Sequence, residues 1–166
     1  MSREDAVIVN ALVRQALVAA QDVMGENGLD AVLRASGLER FVGNFPPDDL
    51  NPSIQASQYA RFNAAIEEFY GRGGRGMLRR IGKASFEYAV REQAALLGVA
   101  GAALKLLPER QRVKFILNQM VSALKKTNAQ VEAWVDDNGG RVAFSESTCA
   151  ICHSRVSETP ICHLYV

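Results

Sequence analysis

Apolar side chains recur every three to four residues through most of the first 127 positions, then every second residue. The change predicts helices first and sheet later. Val9, Val13, Leu17, Ala20 and Met24 mark a first helix from about Arg3 to Met24, with Asn10, Arg14, Gln15 and Gln21 on its other faces. Gly25-Glu-Asn-Gly28 ends it, and Leu29 to Ala35 reads as a short second helix closed by Gly37. Phe41 to Pro52 is the longest irregular piece, with Pro46-Pro47-Asp48-Asp49 inside it, and is either a lid or a connector. A third helix is expected from Ser53 to Tyr70, with Tyr59, Phe62, Ile66 and Phe69 on its apolar face. A glycine-rich bend follows, after which Leu78, Ile81, Ser85, Tyr88 and Ala89 resume the helical period.

Ala94 to Leu107 is apolar on nearly every face, with Lys105 its one charge. It falls short of the ~20 residues a membrane span needs, so it is expected as a central buried helix. Leu97, Gly98 and Gly101 would border an apolar ligand pocket there, the glycines allowing close approach. Pro108-Glu109 restarts the helix, and Val113, Ile116, Leu117, Met120, Val121 and Leu124 form a stripe. Ala129, Val131, Ala133 and Val135 then alternate with Gln130, Glu132, Trp134 and Asp136, which reads as a half-buried strand. Asp137-Asn-Gly-Gly140 is a hairpin turn, since Asn-Gly tolerates positive φ. Arg141 to Ser147 returns, and a last strand is expected from about Ile161 to Val166. Trp134, on the otherwise polar face, is a further pocket candidate.

The fold class this predicts is α+β, with N-terminal helices packed on a C-terminal antiparallel sheet. At 166 residues a single domain spanning 1–166 is expected, its first 58 or so residues a helical extension. A composition 48% apolar and 22% charged is ordinary for a globular protein. The formal charge of +1 gives no reason to expect nucleic-acid binding, and no apolar run is long enough for a membrane span. Arg3, Glu4, Asp5 and Arg14 interrupt any apolar core of an export signal. With an odd number of cysteines, this points to a reducing cytoplasm.

Two stretches carry candidate chemistry. Gly71-Arg-Gly-Gly-Arg-Gly76 matches G-x-G-x-x-G, with Glu92 near the acidic position of a dinucleotide fold, but that fingerprint needs a preceding strand and a helix stands there instead. What remains is a helix start ringed by Arg72, Arg75, Arg79 and Arg80, either an anion site or a tight corner with solvated arginines. The second stretch is Cys149-Ala-Ile-Cys152-His153 with Pro160-Ile-Cys162-His163. All three cysteines and both histidines fall within it, and the preceding 148 residues hold neither type. Thiolates gathered this way suit a metal reached at ~2.3 Å. Covalent haem c, through the C-x-x-C-H pattern, and a Cys149–Cys152 redox pair are the alternatives.

From Trp134-Val-Asp-Asp-Asn-Gly-Gly-Arg-Val through Cys149-Ala-Ile-Cys-His-Ser-Arg155 to Pro160-Ile-Cys-His-Leu-Tyr-Val166, the chain resembles the 4-vinyl reductase, or hydrocarbon-binding, domain family. Phe69 to Gly76, Arg79-Arg-Ile-Gly82 and Ser85-Phe86 resemble the helical region ahead of that domain, so the likeness covers roughly residues 60–166. It implies an α+β ligand-binding fold related to acyl-chain-holding trafficking subunits. It also implies structural Zn²⁺, the positions corresponding to Cys149, Cys152 and Cys162. The relatives' fourth ligand is an upstream cysteine that this chain lacks. His163 is preferred in its place, with His153, Asp136, Asp137 and water as alternatives. Joint ligation by the neighbours Cys162 and His163 needs a bend, because adjacent strand residues face opposite ways. The family domain usually continues with a glycine and a helix where this chain stops at Val166, so a cut end is expected.

Three functions compete. The first is a binding, carrier or sensor domain for a hydrophobic, aromatic or tetrapyrrole-like small molecule, with a structural zinc. The second is an enzyme or accessory protein of (bacterio)chlorophyll biosynthesis acting on a vinyl tetrapyrrole. Reduction of a vinyl group needs a hydride source, and neither a nucleotide-binding strand–loop–helix nor a flavin motif is found. A catalytic zinc would need an open position and a base, for which Glu146 and Glu158 are near only in sequence. The third is a structural module, and a homodimer is expected.

Overall fold

A computed structural model describes residues 6–88, 106–127, 131–147 and 149–153. The chain is α+β, with most helices in its N-terminal half, and it divides into two compact units. One comprises Met1–Ala89 with Ala150–Val166, the other Val90–Cys149.

In the first unit the chain enters as a strand, β1 (Val7–Val9), and α1 starts only at Asn10 and runs to Met24. The expected start near Arg3 is therefore corrected for residues 7–9, while 3–5 lie outside the described residues. Three consecutive β-branched side chains are poor in a helix and suit a pleated strand. Their partner is β2 (Pro52–Gln55), which the helical period had assigned to the third helix. The two strands pair antiparallel, Val7 with Gln55 and Ile8 with Ile54, with an irregularity before Val9 reaches Pro52. Proline has no N–H to give a ladder and is tolerated in a two-stranded sheet.

The pairing leaves α3 as Ala56–Tyr70, opened by a reciprocal capping box between Gln55 and Gln58. α1 has no side-chain cap of its own. Its first donors go to the long loop instead: Asn10 N–H to Asn51 O and Ala11 N–H to Asp49 O, each at 2.9 Å. The Asn10 amide donates to Asp49 Oδ1 at 2.9 Å and Arg14 to Pro46 O at 3.0 Å. The loop is thus a connector that satisfies the orphan N–H groups of a helix end.

α2 (Glu26–Ala35) begins directly after Gly25, three residues earlier than expected. It ends as the sequence predicts: Gly37 takes φ +75°, its N–H reaches Arg34 O, and Leu38 N–H reaches Leu33 O at 2.8 Å. This is a Schellman closure, and the fully buried Leu33 and Leu38 supply its apolar contact. α3 turns through residues 71–73 into α4, helical over 74–88. The core gathers Val13 and Leu17 of α1, Leu29, Val32 and Leu33 of α2, Phe62 and Ile66 of α3, and Leu78 and Ile81 of α4. Phe69, placed on the apolar face by the sequence period, is 54% exposed and meets Tyr70 edge-on instead.

In the second unit α5 (Glu109–Thr127) packs on the hairpin of β3 (Ala133–Asp137) and β4 (Val142–Glu146). The register runs from Ala133 opposite Glu146 to Asp137 opposite Val142, with Gly139 at φ +71° in the predicted turn. Leu117, Met120, Val121 and Leu124 of the expected stripe are half-buried, while Val113 and Ile116 are exposed. Ala94–Lys105, positions 128–130 and the expected strand 161–166 lie outside the described residues. Among the described residues no helix is long and apolar enough to cross a membrane.

Gly74 is the one bend glycine whose missing side chain the packing requires. A Cβ there would lie 2.5 Å from Glu67 Cα and 2.7 Å from Glu67 O, whereas one at Gly76 would meet nothing within 4 Å. Gly74→Ala is expected to lower unfolding free energy by ~1–3 kcal/mol, through overpacking against backbone that cannot yield. Gly76→Ala should be neutral or stabilise by up to ~1 kcal/mol. Urea titration of both variants checks the contrast.

Candidate functional site

The C-x-x-C stretch ends in a turn among the described residues. β4 leaves the hairpin at Glu146, Cys149 follows, and residues 150–153 form a turn that carries Cys152 and His153. Both cysteines and His153 are half-buried. Ile151, between the two thiols, is 4% exposed. A tight turn placing two cysteines three positions apart is the arrangement by which one knuckle offers two thiolates to a metal. Among the described residues no three His, Cys, Asp or Glu side chains gather into a metal-holding group. The remaining expected ligands, Cys162 and His163, lie outside the described residues.

Two of the alternative fourth ligands are occupied within the hairpin unit. The Asp137 carboxylate accepts from Lys114 Nζ at 2.9 Å and from the Arg110 guanidinium, which also donates to Gly139 O. The Lys114 and Arg110 hydrogen bonds hold the Asp137 carboxyl below the usual aspartate range. Asp136 Oδ2 accepts from Trp134 Nε1 at 3.0 Å and from Ser145 Oγ at 3.2 Å. These three residues share one face because Trp134 sits opposite Ser145 and two places before Asp136. Trp134 is 46% exposed, its indole N–H tied down and its ring open.

The other wall expected for an apolar pocket, Leu97, Gly98 and Gly101, lies outside the described residues. A cavity of about 20 Å³ does occur in the helical unit, lined by Ala16, Tyr59, Phe62, Leu78, Ile81 and Ile151 among others. That is room for about one water molecule, not for a hydrocarbon. Asn63 and Ser85 line it as well, both more than nine-tenths buried. Asn63 Nδ2 donates to Tyr59 O at 2.9 Å, and the Ser85 carbonyl accepts from Gln15 Nε2 at 2.8 Å, tying α1 to α4.

The glycine-rich bend follows a helix, α3, so the strand that a dinucleotide fingerprint requires is replaced by helical backbone. Arg72 lies in the short 3₁₀ turn, and Arg75, Arg79 and Arg80 on the first turns of α4. All four are exposed. Arg75 and Arg79 stand one helical turn apart, which suits a shared anion but equally a solvated face.

The residue that sequence reasoning passed over is Ile151. Its only signal was a single large apolar side chain between two cysteines, which reads as filler until the turn is seen to bury it. Comparison with family models, with curated proteins and with solved structures gives no match.

Two outcomes follow from these placements. Arg75→Ala combined with Arg79→Ala should leave stability within ~0.5 kcal/mol of the parent, as for surface changes without buried partners, by urea titration. For Asp137 the folded pKa lies below the unfolded value of about 3.9. Its stabilisation is therefore complete above that value and is lost as pH falls through the folded pKa. Asp137→Asn should be less stable than the parent at neutral pH, and the gap should close as pH drops below 4. Unfolding midpoints from pH 6 to 2 read this directly.

Proposed function

We propose that this chain is a binding, carrier or sensor domain for a hydrophobic, aromatic or tetrapyrrole-like small molecule, stabilised locally by a structural Zn²⁺. The observation that carries the zinc part is the turn at 150–153, which sets Cys152 three residues after Cys149 with both thiols half-buried. The donor chemistry fits zinc: two cysteines from one knuckle, with Cys162 and His163 completing a Cys₃His set that holds the ion closed. Bound there, zinc would supply no reaction and would hold Cys149 and Cys152 together with Cys162 and His163. The resemblance to the hydrocarbon-binding domain family supports the small-molecule part, with Trp134 as the exposed aromatic of the hairpin face.

The proposed assembly is a homodimer, supported by the exposed Val113, Phe115 and Ile116 on α5. Apolar side chains left in water on a helix favour association. The proposed location is the cytoplasm, where thiolates stay reduced and able to bind metal.

Protein purified without added metal is expected to carry about one zinc per chain by elemental analysis, in keeping with a tetrahedral structural site. Cys152→Ser should lose it, and acid should release it from the parent as the thiolates protonate. Metal-free protein from metal-sufficient cells would overturn the zinc reading. Native mass spectrometry with a tetrapyrrole and fatty-acid panel tests the ligand, and light scattering the dimer.

A further inference from the structure

Ile151 is the sole large apolar side chain of the Cys149–Cys152 stretch, and the helical unit takes it in. It faces Ala16 of α1, Tyr59 and Phe62 of α3, and Leu78 and Ile81 of α4 across the small cavity. Its 4% exposure contrasts with the half-buried cysteines and His153 around it. A four-residue turn must be ordered against conformational entropy, and burying one aliphatic chain in a preformed slot offsets that cost while fixing the turn's orientation. The helical core does not depend on it: the cluster from Val13 to Ile81 closes without any residue of the turn.

We propose that Ile151 is a positioning residue for the Cys152 thiol, an anchor at the α1–α3–α4 slot that holds the turn in the arrangement presenting Cys152. Its effect on metal affinity rests on the zinc reading above, whereas its effect on the turn does not. With Ile151 seated, the Cys152 thiol is pre-organised and little ordering of the turn remains to be done when an ion arrives. With Ile151 withdrawn, the turn opens locally while the helices stay folded.

The test uses the full chain, reduced and stripped of metal by a chelator, with iodoacetamide as the probe. The rate of thioether formation at Cys152 is followed by peptide mass mapping. Ile151→Ala should raise that rate about tenfold, as expected when a local opening equilibrium rather than the global one is shifted. Ile151→Val should raise it about twofold to threefold, a smaller effect for a single lost methyl. Ile54→Ala and Ile54→Val, at an equally buried site on β2, should leave it unchanged while circular dichroism reports intact helix. Should Ile151→Ala lose its helical signal, the two valine variants decide. An unchanged rate in the Ile151 variants, or an equal rise in the Ile54 variants, overturns the proposal. Zinc affinity is measured separately, by competition with a chromophoric chelator, and Ile151→Ala should weaken it about tenfold. If the parent itself binds no zinc, the metal reading falls and the alkylation rates still settle the role of Ile151.

Discussion

The helical unit depends on one close approach. α4 can lie against α3 only because Gly74 brings no side chain to the Glu67 backbone, where a Cβ would stand 2.5 Å from the Cα. At that distance neither helix has a flexible side chain to move aside, so the corner closes with glycine or must splay. Gly71, at φ +54°, makes the turn into it. Once the corner is closed, Leu78 and Ile81 fall on Phe62 and Ile66 in the core, and Ser85 reaches the Gln15 side chain of α1. The slot that receives Ile151 is what remains between these three helices. The glycines that imitate a nucleotide fingerprint are therefore explained at position 74 by packing and at position 71 by its positive φ.

Much of this could be read from the chain, and the failures have identifiable causes. Helix existence followed from the 3.6-residue period, and the Gly37 closure and Asn-Gly hairpin turn followed from the φ values those residues permit. The N-terminal sheet could not be read. Val7-Ile8-Val9 and Pro52–Gln55 are each a few residues long, flank helices whose period extends through them, and become strands only by pairing across more than forty positions. Local pattern carries no information about such a partner. The capping of α1 was hidden for the same reason, since Asp49 and Asn51 act on it from the long loop. At the candidate site the cysteines announced themselves by type and spacing. Ile151 did not, because its significance lies in a slot built by residues 66 to 135 positions away.

In the hairpin unit, charge adds to the packing of α5 on the hairpin. α5 shows water a good part of its apolar stripe, and its described link to the turn end of the hairpin is the pair of cations, Arg110 and Lys114, on Asp137. Exposed ion pairs contribute little each. Two donors converging on one carboxylate beside a β-turn nevertheless set orientation, because Arg110 binds Asp137 and Gly139 O together. That use engages the Asp137 carboxylate with two cations. It also explains why two adjacent aspartates behave differently: Asp137 faces α5, while Asp136, on the opposite face, serves Trp134 and Ser145.

The placement of the core decides what a metal at the cysteines could accomplish. In miniature metal-dependent domains the ion supplies most of the folding free energy, because too few apolar residues exist to close a core. Here the helical unit already buries Leu17, Leu29, Leu33, Leu38 and Ile66 to 1% exposure or less, and none of these belongs to the cysteine stretch. Removing the metal therefore cannot remove the reason for that unit to fold. The consequence of losing such an ion would be local, at the turn that carries Cys152. Ile151 carries the coupling in the other direction. The turn relies on the helices for its position, while the helical core closes without any residue of the turn. Such one-sided dependence would let an ion bind or leave the turn without unfolding its support.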